Sequence, residues 1–226
     1  MSASVRNAFI RILRAVFNFG IRRGWCELNP IRHLELESVK FRKEILTNPQ
    51  VTALLKAAVE TDLELLPYQL LCVFAGIRPK EVERLEWHDV NFEEKYIKVP
   101  EEVSKTGVRR IVEMEPLLIR WLSFYNRAGG RVTGLVAPRK NLRTRLRALR
   151  SRAGFERWPQ DAPRRTYASC WLAAYSDVNR LNNLMGHTSP AMLWRHYNKA
   201  VTQREAVSFW KIEPPKSSGN IVNFAA

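Results

Sequence analysis

The chain of 226 residues is long enough to bury a substantial core in one domain and to carry a small additional unit. Its 37 Lys and Arg residues against 22 Asp and Glu residues give a net charge of +15, which favours DNA, RNA or an anionic membrane surface as partner. No apolar run reaches the roughly 18 residues of a membrane span and the N-terminus does not resemble a signal peptide, so the composition predicts a cytoplasmic protein.

The N-terminal part predicts one helix followed by a connector. Apolar residues recur at spacings of three and four over residues 4–24, which is typical of an amphipathic helix. Asn29-Pro30 ends whatever precedes it, and residues 26–44 indicate an extended, charged connector. We therefore expect the first 44 residues to form a small appendage.

The next stretch predicts three helices with a tight corner between the second and the third. Thr47 with Gln50 three residues later forms a capping box, which marks a helix start. A second helix over residues 63–75 ends at Gly76, and Pro79 suits the first turn of the third. Arg78 is thereby placed in the corner between two helices.

The rest of the chain predicts a hairpin and further helices. Residues 95–99 and 108–114 alternate and are rich in Val and Ile, so they indicate two strands whose turn carries Lys105. We expect helices over residues 116–127 and 139–157, then further helices from residue 161 with breaks near Ser176 and at Gly186. The fold class predicted is mainly α with a small antiparallel β-sheet (α+β), ending in a flexible tail at 213–226.

Four stretches carry side chains suited to phosphate chemistry. They are Gly76-Ile77-Arg78-Pro79-Lys80-Glu81, the turn lysine Lys105, Arg164-Arg165-Thr166-Tyr167, and Leu184-Met185-Gly186-His187 with Tyr197 ten residues later. Each alone has an ordinary explanation: a surface charge or carbonyl cap for Arg78, a solvated turn for Lys105, a helix cap for His187, core packing for Tyr197. The three cysteines are too far apart for a zinc site or a disulfide framework, so we expect no metal and no cofactor.

The order and spacing of these stretches resemble the tyrosine recombinase, or phage integrase, family over residues 45–212. The resemblance implies that Arg78, Lys105, Arg164, His187 and Tyr197 are catalytic. Tyr197 would attack a DNA phosphate to form a 3′-phosphotyrosine and release a 5′-hydroxyl. Arg78 and Arg164 would hold the nonbridging oxygens, because a planar guanidinium can bind two oxygens at once. Lys105 would protonate the leaving oxygen, and His187 would bind a nonbridging oxygen or manage the tyrosine proton.

Two positions beside these are auxiliary. Glu81 lies one helical turn after Arg78, and we expect it to orient that arginine. Asp161 stands three residues before Arg164, where the family has histidine. Asp161-Ala162-Pro163 is a good helix start, which favours an N-cap role for the aspartate. The alternative is that its carboxylate accepts the tyrosine proton or orients Arg164.

The resemblance also implies domains and partners. Residues 1–44 would be the remnant of a helical DNA-binding domain with its linker, and residues 45–212 the catalytic domain, so the chain is expected to be a truncated integrase, a fragment or a catalytic-domain-only variant. Double-stranded DNA is the expected partner, with a homotetramer assembled on it and no membrane contact. The expected DNA contacts are four arginines of the basic helix, Arg143, Arg145, Arg147 and Arg150.

Three other functions remain open at this point. A degenerate integrase remnant would bind DNA without cutting it, and both the missing histidine and the short N-terminal part favour that function. A type IB topoisomerase uses a similar set of residues to relax supercoils. An RNA-binding or ribosome-associated protein would explain the charge but not the ordered motifs.

Overall fold

The structure is a computed structural model that describes residues 1–38, 44–186 and 201–215. The chain divides into two compact units, residues 1–42 and residues 43–226. The predicted division into a remnant, a catalytic domain and a tail remains a prediction.

Unit 1 consists of helix α1 (Ala3–Arg22) and the segment that follows it. The Asn7 side chain donates to the Glu37 carbonyl at 2.8 Å and accepts from the Glu37 N–H at 3.0 Å. The Asn29 side chain accepts from the Ile31 N–H at 3.2 Å and donates to the Asn18 side chain at 2.8 Å. The described part of the predicted connector therefore folds back along α1 because buried asparagines satisfy its backbone groups.

Unit 2 is mostly helical with one small sheet. Its described helices are α2 (Asn48–Thr61), α3 (Leu66–Phe74), α4 (Pro79–Val82), α5 (Pro116–Arg127), α6 (Leu142–Arg152), α7 (Ala162–Tyr175), α8 (Val178–Met185) and α9 (Gln203–Phe209). Strands β1 (Val90–Asn91), β2 (Tyr96–Val99) and β3 (Arg110–Glu113) form an antiparallel sheet in the order β1-β2-β3. The predicted fold class is confirmed.

Helix α3 lies at the centre of the core. All nine of its residues are buried, as expected for a helix that is apolar apart from Gln69 and the Tyr68 hydroxyl. It packs against α2, α5 and α7, and the Phe74 ring meets Phe209 of α9 with centroids 5.2 Å apart. Because α3 is completely buried, the position of the corner that follows it, at Gly76, is fixed in the core.

Local signals set most of the helix starts. Thr47 and Gln50 form the predicted capping box, and Pro116 begins α5 at the predicted residue. The predicted hairpin pairs Ile97 with Val112, both buried. Strand β1 was not predicted, because two residues are too short to show an alternating pattern. No helix in the described part of the chain is long and apolar enough to cross a membrane.

Candidate functional site

The corner between α3 and α4 places Arg78. Gly76 has a φ of +61°, and a Cβ there would lie 2.3 Å from Cδ1 of Tyr167, so only glycine fits. The Ile77 N–H then donates to the Leu71 carbonyl at 3.1 Å and closes the turn. Arg78 follows in extended conformation as the N-cap residue of α4, in the predicted corner. Its side chain is 16% exposed, so solvent can reach it.

Glu81 is fully buried and accepts five hydrogen bonds from three residues. Arg78 donates to it through Nη1 at 3.0 Å and through its backbone N–H at 3.2 Å. The Lys105 backbone N–H donates to Oε1 at 3.1 Å, and Arg110 donates through both terminal nitrogens at 3.2 and 2.5 Å. Burial alone would raise the pKa of Glu81, but these hydrogen bonds and charges lower the pKa to about 2. Glu81 is therefore ionised at neutral pH.

Arg164 ties the corner to the end of α8. It is the third residue of α7 and is 5% exposed. Its Nη1 donates to the Gly76 carbonyl and its Nη2 to the Met185 carbonyl. One guanidinium thus joins the corner that holds Arg78 to the last turn of α8.

Arg78 and Arg164 converge at the C-terminal end of α8. Arg78 Nη2 donates to the Gly186 carbonyl at 2.9 Å, and Arg164 holds the preceding carbonyl, of Met185. The carbonyls at a helix C-terminus lack intrahelical partners and carry partial negative charge, which suits guanidinium donors. His187 follows Gly186 directly, but His187 and Tyr197 lie outside the described residues.

The turn that carries Lys105 is held at its base. Arg84 donates to the carbonyls of Glu102, at 2.9 Å, and Val103. The Lys105 N–H bonds to Glu81, while the Lys105 side chain is exposed and forms no ion pair with a carboxylate in the described residues. The ammonium is therefore available at the end of an anchored loop.

Asp161 begins α7 as predicted but does not cap it. Its φ is +56° and its ψ is 13°, whereas an N-cap side chain needs the β region to reach the N–H groups of the first turn. No described N–H of that turn donates to the carboxylate, and the side chain is exposed. The expected capping role is therefore wrong, and only the backbone carbonyl takes part, accepting from the Arg165 N–H at 3.0 Å.

Arg110 is a residue of the site that the sequence motifs do not indicate. Arg110 is the first residue of β3 and is only 9% exposed, although Arg is rarely buried without a partner. Its Nε donates to the Leu184 carbonyl at 3.1 Å while its terminal nitrogens hold Glu81. An arginine at a strand position that alternation assigns to the buried face was the signal that could have identified it.

The four α6 arginines predicted to contact DNA fall into two pairs. Arg143 and Arg147 are exposed. Arg145 donates to Asp62, at 2.7 Å through Nε, and to Glu64 at 2.8 Å, so acidic side chains already occupy its guanidinium. The Arg150 guanidinium lies 4.2 Å from the centre of the Trp158 ring, a cation–π contact.

A cleft of about 910 Å³ runs beside α6. It is lined by Pro79 and Lys80, which follow Arg78, and by Asp161, which precedes Arg164 by three residues. Arg139, Arg143 and Arg150 add positive charge to its walls, against the carboxylates of Glu83 and Asp161. The cleft thus joins the basic helix to the segments that carry both arginines of the site.

Comparison with solved structures supports this fold. A lambda integrase fragment bound as a dimer to a COC′ core site superimposes with a TM-score of 0.70 at 17% identity, over 88% of this chain and 74% of that one. The Tn1549 transposon integrase in complex with circular intermediate DNA gives 0.62 at 19% identity, over 92% and 79%. XerA recombinase gives 0.58 at 19% identity, over 88% and 73%.

Sequence comparison gives the family. A search of the curated proteins returned no match. The family model described as the phage integrase family matches residues 44–204, well over half of the chain. That span contains the corner, the hairpin turn and the start of α7, which are the elements that place Arg78, Lys105 and Arg164. The chain therefore belongs to the phage integrase family, the tyrosine recombinases.

Proposed function

We propose that this chain performs site-specific recombination by cutting and rejoining DNA through a 3′-phosphotyrosine at Tyr197. One observation carries the proposal. Arg78 and Arg164, 86 positions apart in the sequence, both place their guanidinium groups at the end of α8 that leads into His187. Two guanidinium groups at one place are suited to the pentacovalent phosphorus that forms during phosphoryl transfer.

The chemistry needs charge stabilisation and two proton transfers. Arg78 and Arg164 would exchange contacts with carbonyls for contacts with the nonbridging oxygens, each contributing about 3 kcal/mol in the transition state. The exposed Lys105 ammonium would protonate the leaving 5′-oxygen, and His187 would accept the proton of the Tyr197 phenol. The P–O bond to that oxygen breaks as the Tyr197 oxygen bonds to phosphorus, so the phosphodiester energy is retained and no nucleotide is consumed.

The cleft beside α6 is the proposed path of the DNA backbone next to the site. Arg143 lines the cleft and Arg147 lies one helical turn further along α6. Both are exposed, so they can contact phosphates without first breaking an ion pair. Arg145 would have to leave Asp62 and Glu64, and Arg150 would have to leave Trp158. We therefore assign phosphate contact to Arg143 and Arg147, and a structural role to Arg145 and Arg150.

We also propose that recombination takes place in a tetramer on DNA. Exchange between two duplexes needs four strand cleavages, and each protomer offers one Tyr197. A structurally similar lambda integrase has been solved as a tetramer bound to a Holliday junction, at a TM-score of 0.68. Light scattering of the protein with its target DNA is expected to show four protomers, and monomers alone would contradict this assembly.

Covalent capture tests the proposed cleavage. A pool of nicked duplexes with a randomised central segment is incubated with the protein, and DNA that remains bound after denaturation is sequenced. We expect adducts in which the protein holds a 3′ end and the released strand carries a 5′-hydroxyl. Tyr197→Phe should abolish them, whereas Tyr175→Phe, which removes the hydroxyl of an exposed tyrosine on α7, should not.

Asp161 favours a second candidate function, that of a DNA-binding module: a degenerate integrase remnant that binds DNA without cutting it. An exposed carboxylate lining the cleft, where the family has histidine, would repel a phosphate and weaken acid–base work. Tight binding of the duplex pool without any adduct, in the native chain and in Asp161→His, would support the module. Adducts in either protein would support an enzyme, and relaxation of a supercoiled plasmid that lacks a captured site would indicate a topoisomerase.

A further inference from the structure

Arg110 contacts both the buried carboxylate of Glu81 and the end of α8. Its two terminal nitrogens hold both oxygens of Glu81, and its Nε donates to the Leu184 carbonyl at 3.1 Å. Its side chain also packs under the last residue of the α8 turn, since a Cβ on Gly186 would lie 3.0 Å from its Cδ. Arg110 thus lies between the buried carboxylate and the end of α8.

Three consecutive carbonyls at this helix end are held by three arginines from different elements. Arg110 of β3 holds Leu184, Arg164 of α7 holds Met185, and Arg78 of the corner holds Gly186. Gly186 itself has a φ of +59° and ends the helix. Because these carbonyls have no partner inside the helix, the arginines set where the chain leaves α8.

Glu81 links the same arginine to the other two groups of the site. Its Oε1 accepts from Arg78, from the Lys105 N–H and from Arg110. Loss of Arg110 would leave a buried carboxylate with half of its charge compensation, and Glu81 would then move or draw Arg78 towards itself. Either change would displace the guanidinium of Arg78 and the turn of Lys105 together.

We propose that Arg110 is a positioning residue for strand cleavage, which sets the geometry of Arg78, Lys105 and the end of α8 without touching the DNA. This inference rests on the proposed function. It differs from a purely stabilising role, because a buried ion pair that only supports the fold would change how much protein is folded and not how fast folded protein reacts.

Single-turnover cleavage separates these two roles. A captured DNA site in nicked form is mixed with saturating protein, and the rate constant and amplitude of adduct formation are recorded with the DNA affinity. Arg110→Met should lower the rate constant by at least about 30-fold, with affinity within about threefold of the native chain. Arg110→Lys should recover part of the rate, because it keeps the charge and one contact with Glu81.

Arg120→Met is the matched control. Arg120 makes a two-bond ion pair with Glu213, at 2.8 and 2.7 Å, on the exposed surface of α5, so its variant should react at the native rate. An Arg110→Met protein with a lower amplitude and an unchanged rate constant would overturn the proposal. If Arg110→Met does not fold, Arg110→Lys decides by the same criterion, with a decrease of at least about fivefold expected.

Amide hydrogen exchange tests the proposal without any activity. In Arg110→Lys the Lys105 and Gly186 amides should exchange at least about tenfold faster, while amides of α3 keep their native protection. Unchanged exchange at Lys105 and Gly186 would overturn the positioning role. A native chain that forms no adduct would instead contradict the proposed function, so the two failures can be told apart.

Discussion

Two groups of arginines in unit 2 put the same side chain to different uses. In the buried group, Arg78, Arg110 and Arg164 are at most 16% exposed and hold Glu81 or the carbonyls at the end of α8. On α6, Arg143 and Arg147 face solvent. The net charge of +15 predicts an anionic partner, but only the position of each guanidinium in the fold tells whether it belongs to the reaction site or to the surface outside it.

The physical difference between the groups is the cost of losing a partner. A buried guanidinium or carboxylate without its counterpart costs about 3–5 kcal/mol, because water cannot replace the lost contact. An exposed ion pair contributes about 0–1 kcal/mol, because solvent and salt screen it. Substitutions in the buried group should therefore change both the cleavage rate and the free energy of unfolding. Substitutions on α6 should change the DNA affinity or have only a small effect.

The largest effect is expected for Arg164→Ala. It should lower the single-turnover cleavage rate by at least about 100-fold, because a preorganised donor to the phosphate is lost. It should also lower the free energy of unfolding by about 2 kcal/mol, because the carbonyls of Gly76 and Met185 lose their donor. The neighbouring Arg165→Ala is the control, and a cleavage rate within about threefold of native in Arg164→Ala would contradict a catalytic role.

Glu81→Gln should show how much the buried group depends on one charge. The folded pKa of about 2 lies below the ordinary 4.5, so ionised Glu81 stabilises the fold by about 3 kcal/mol above pH 5, and this contribution is lost as the pH falls from 4.5 towards 2. Urea unfolding should show a large deficit in Glu81→Gln at pH 7 that narrows at pH 3.

Glu83→Gln is the matched control for this measurement. Glu83 pairs with the exposed Lys80 at 2.6 Å, so its loss should cost less than about 1 kcal/mol at any of these pH values. A deficit in Glu81→Gln that stays constant between pH 7 and pH 3 would contradict the ionised, arginine-bound state of Glu81.

On α6, substitutions in the two pairs of arginines should differ in their effect on the salt dependence of DNA affinity. Arg143→Ala and Arg147→Ala should each reduce the slope of log affinity against log salt by about 1, because each removes one phosphate contact. Arg145→Ala should leave that slope unchanged and lower the free energy of unfolding by about 1 kcal/mol, since its partners are Asp62 and Glu64. Equal slopes for Arg143→Ala and Arg145→Ala would contradict the division of α6 into two pairs.

Local signals predicted most of the fold and part of the site. The capping box at Thr47, the proline at the start of α5 and the Gly76-to-Pro79 corner are each marked by residues next to one another in the chain, so the sequence is enough to find them. The corner in turn fixes Arg78. Strand β1 and the return of residues 26–38 onto α1 depend on partners that the local pattern does not show.

The remainder of the site depends on contacts between distant segments. Arg110 acquires its role from Glu81, 29 positions earlier, and from Leu184, 74 positions later, and no spacing rule relates them. Asp161 has a good N-cap sequence but a left-handed backbone, because tertiary packing decides the φ of a residue that local preference leaves free. The sequence therefore shows which charged side chains are present, and the fold decides which of them are bound to partners within the protein.

The smallest effect is expected for Arg150→Met, which tests whether a positive charge inside the cleft acts on DNA. Burial lowers the pKa of Arg150, and its buried Nε–H has no hydrogen-bond partner in the described part of the chain, so part of the cation–π gain from Trp158 is offset. Methionine keeps the packing and removes the charge, so urea unfolding should change by no more than about 1 kcal/mol. The salt slope of DNA binding should equal that of the native chain, whereas a slope reduced as much as in Arg143→Ala would place Arg150 among the phosphate contacts.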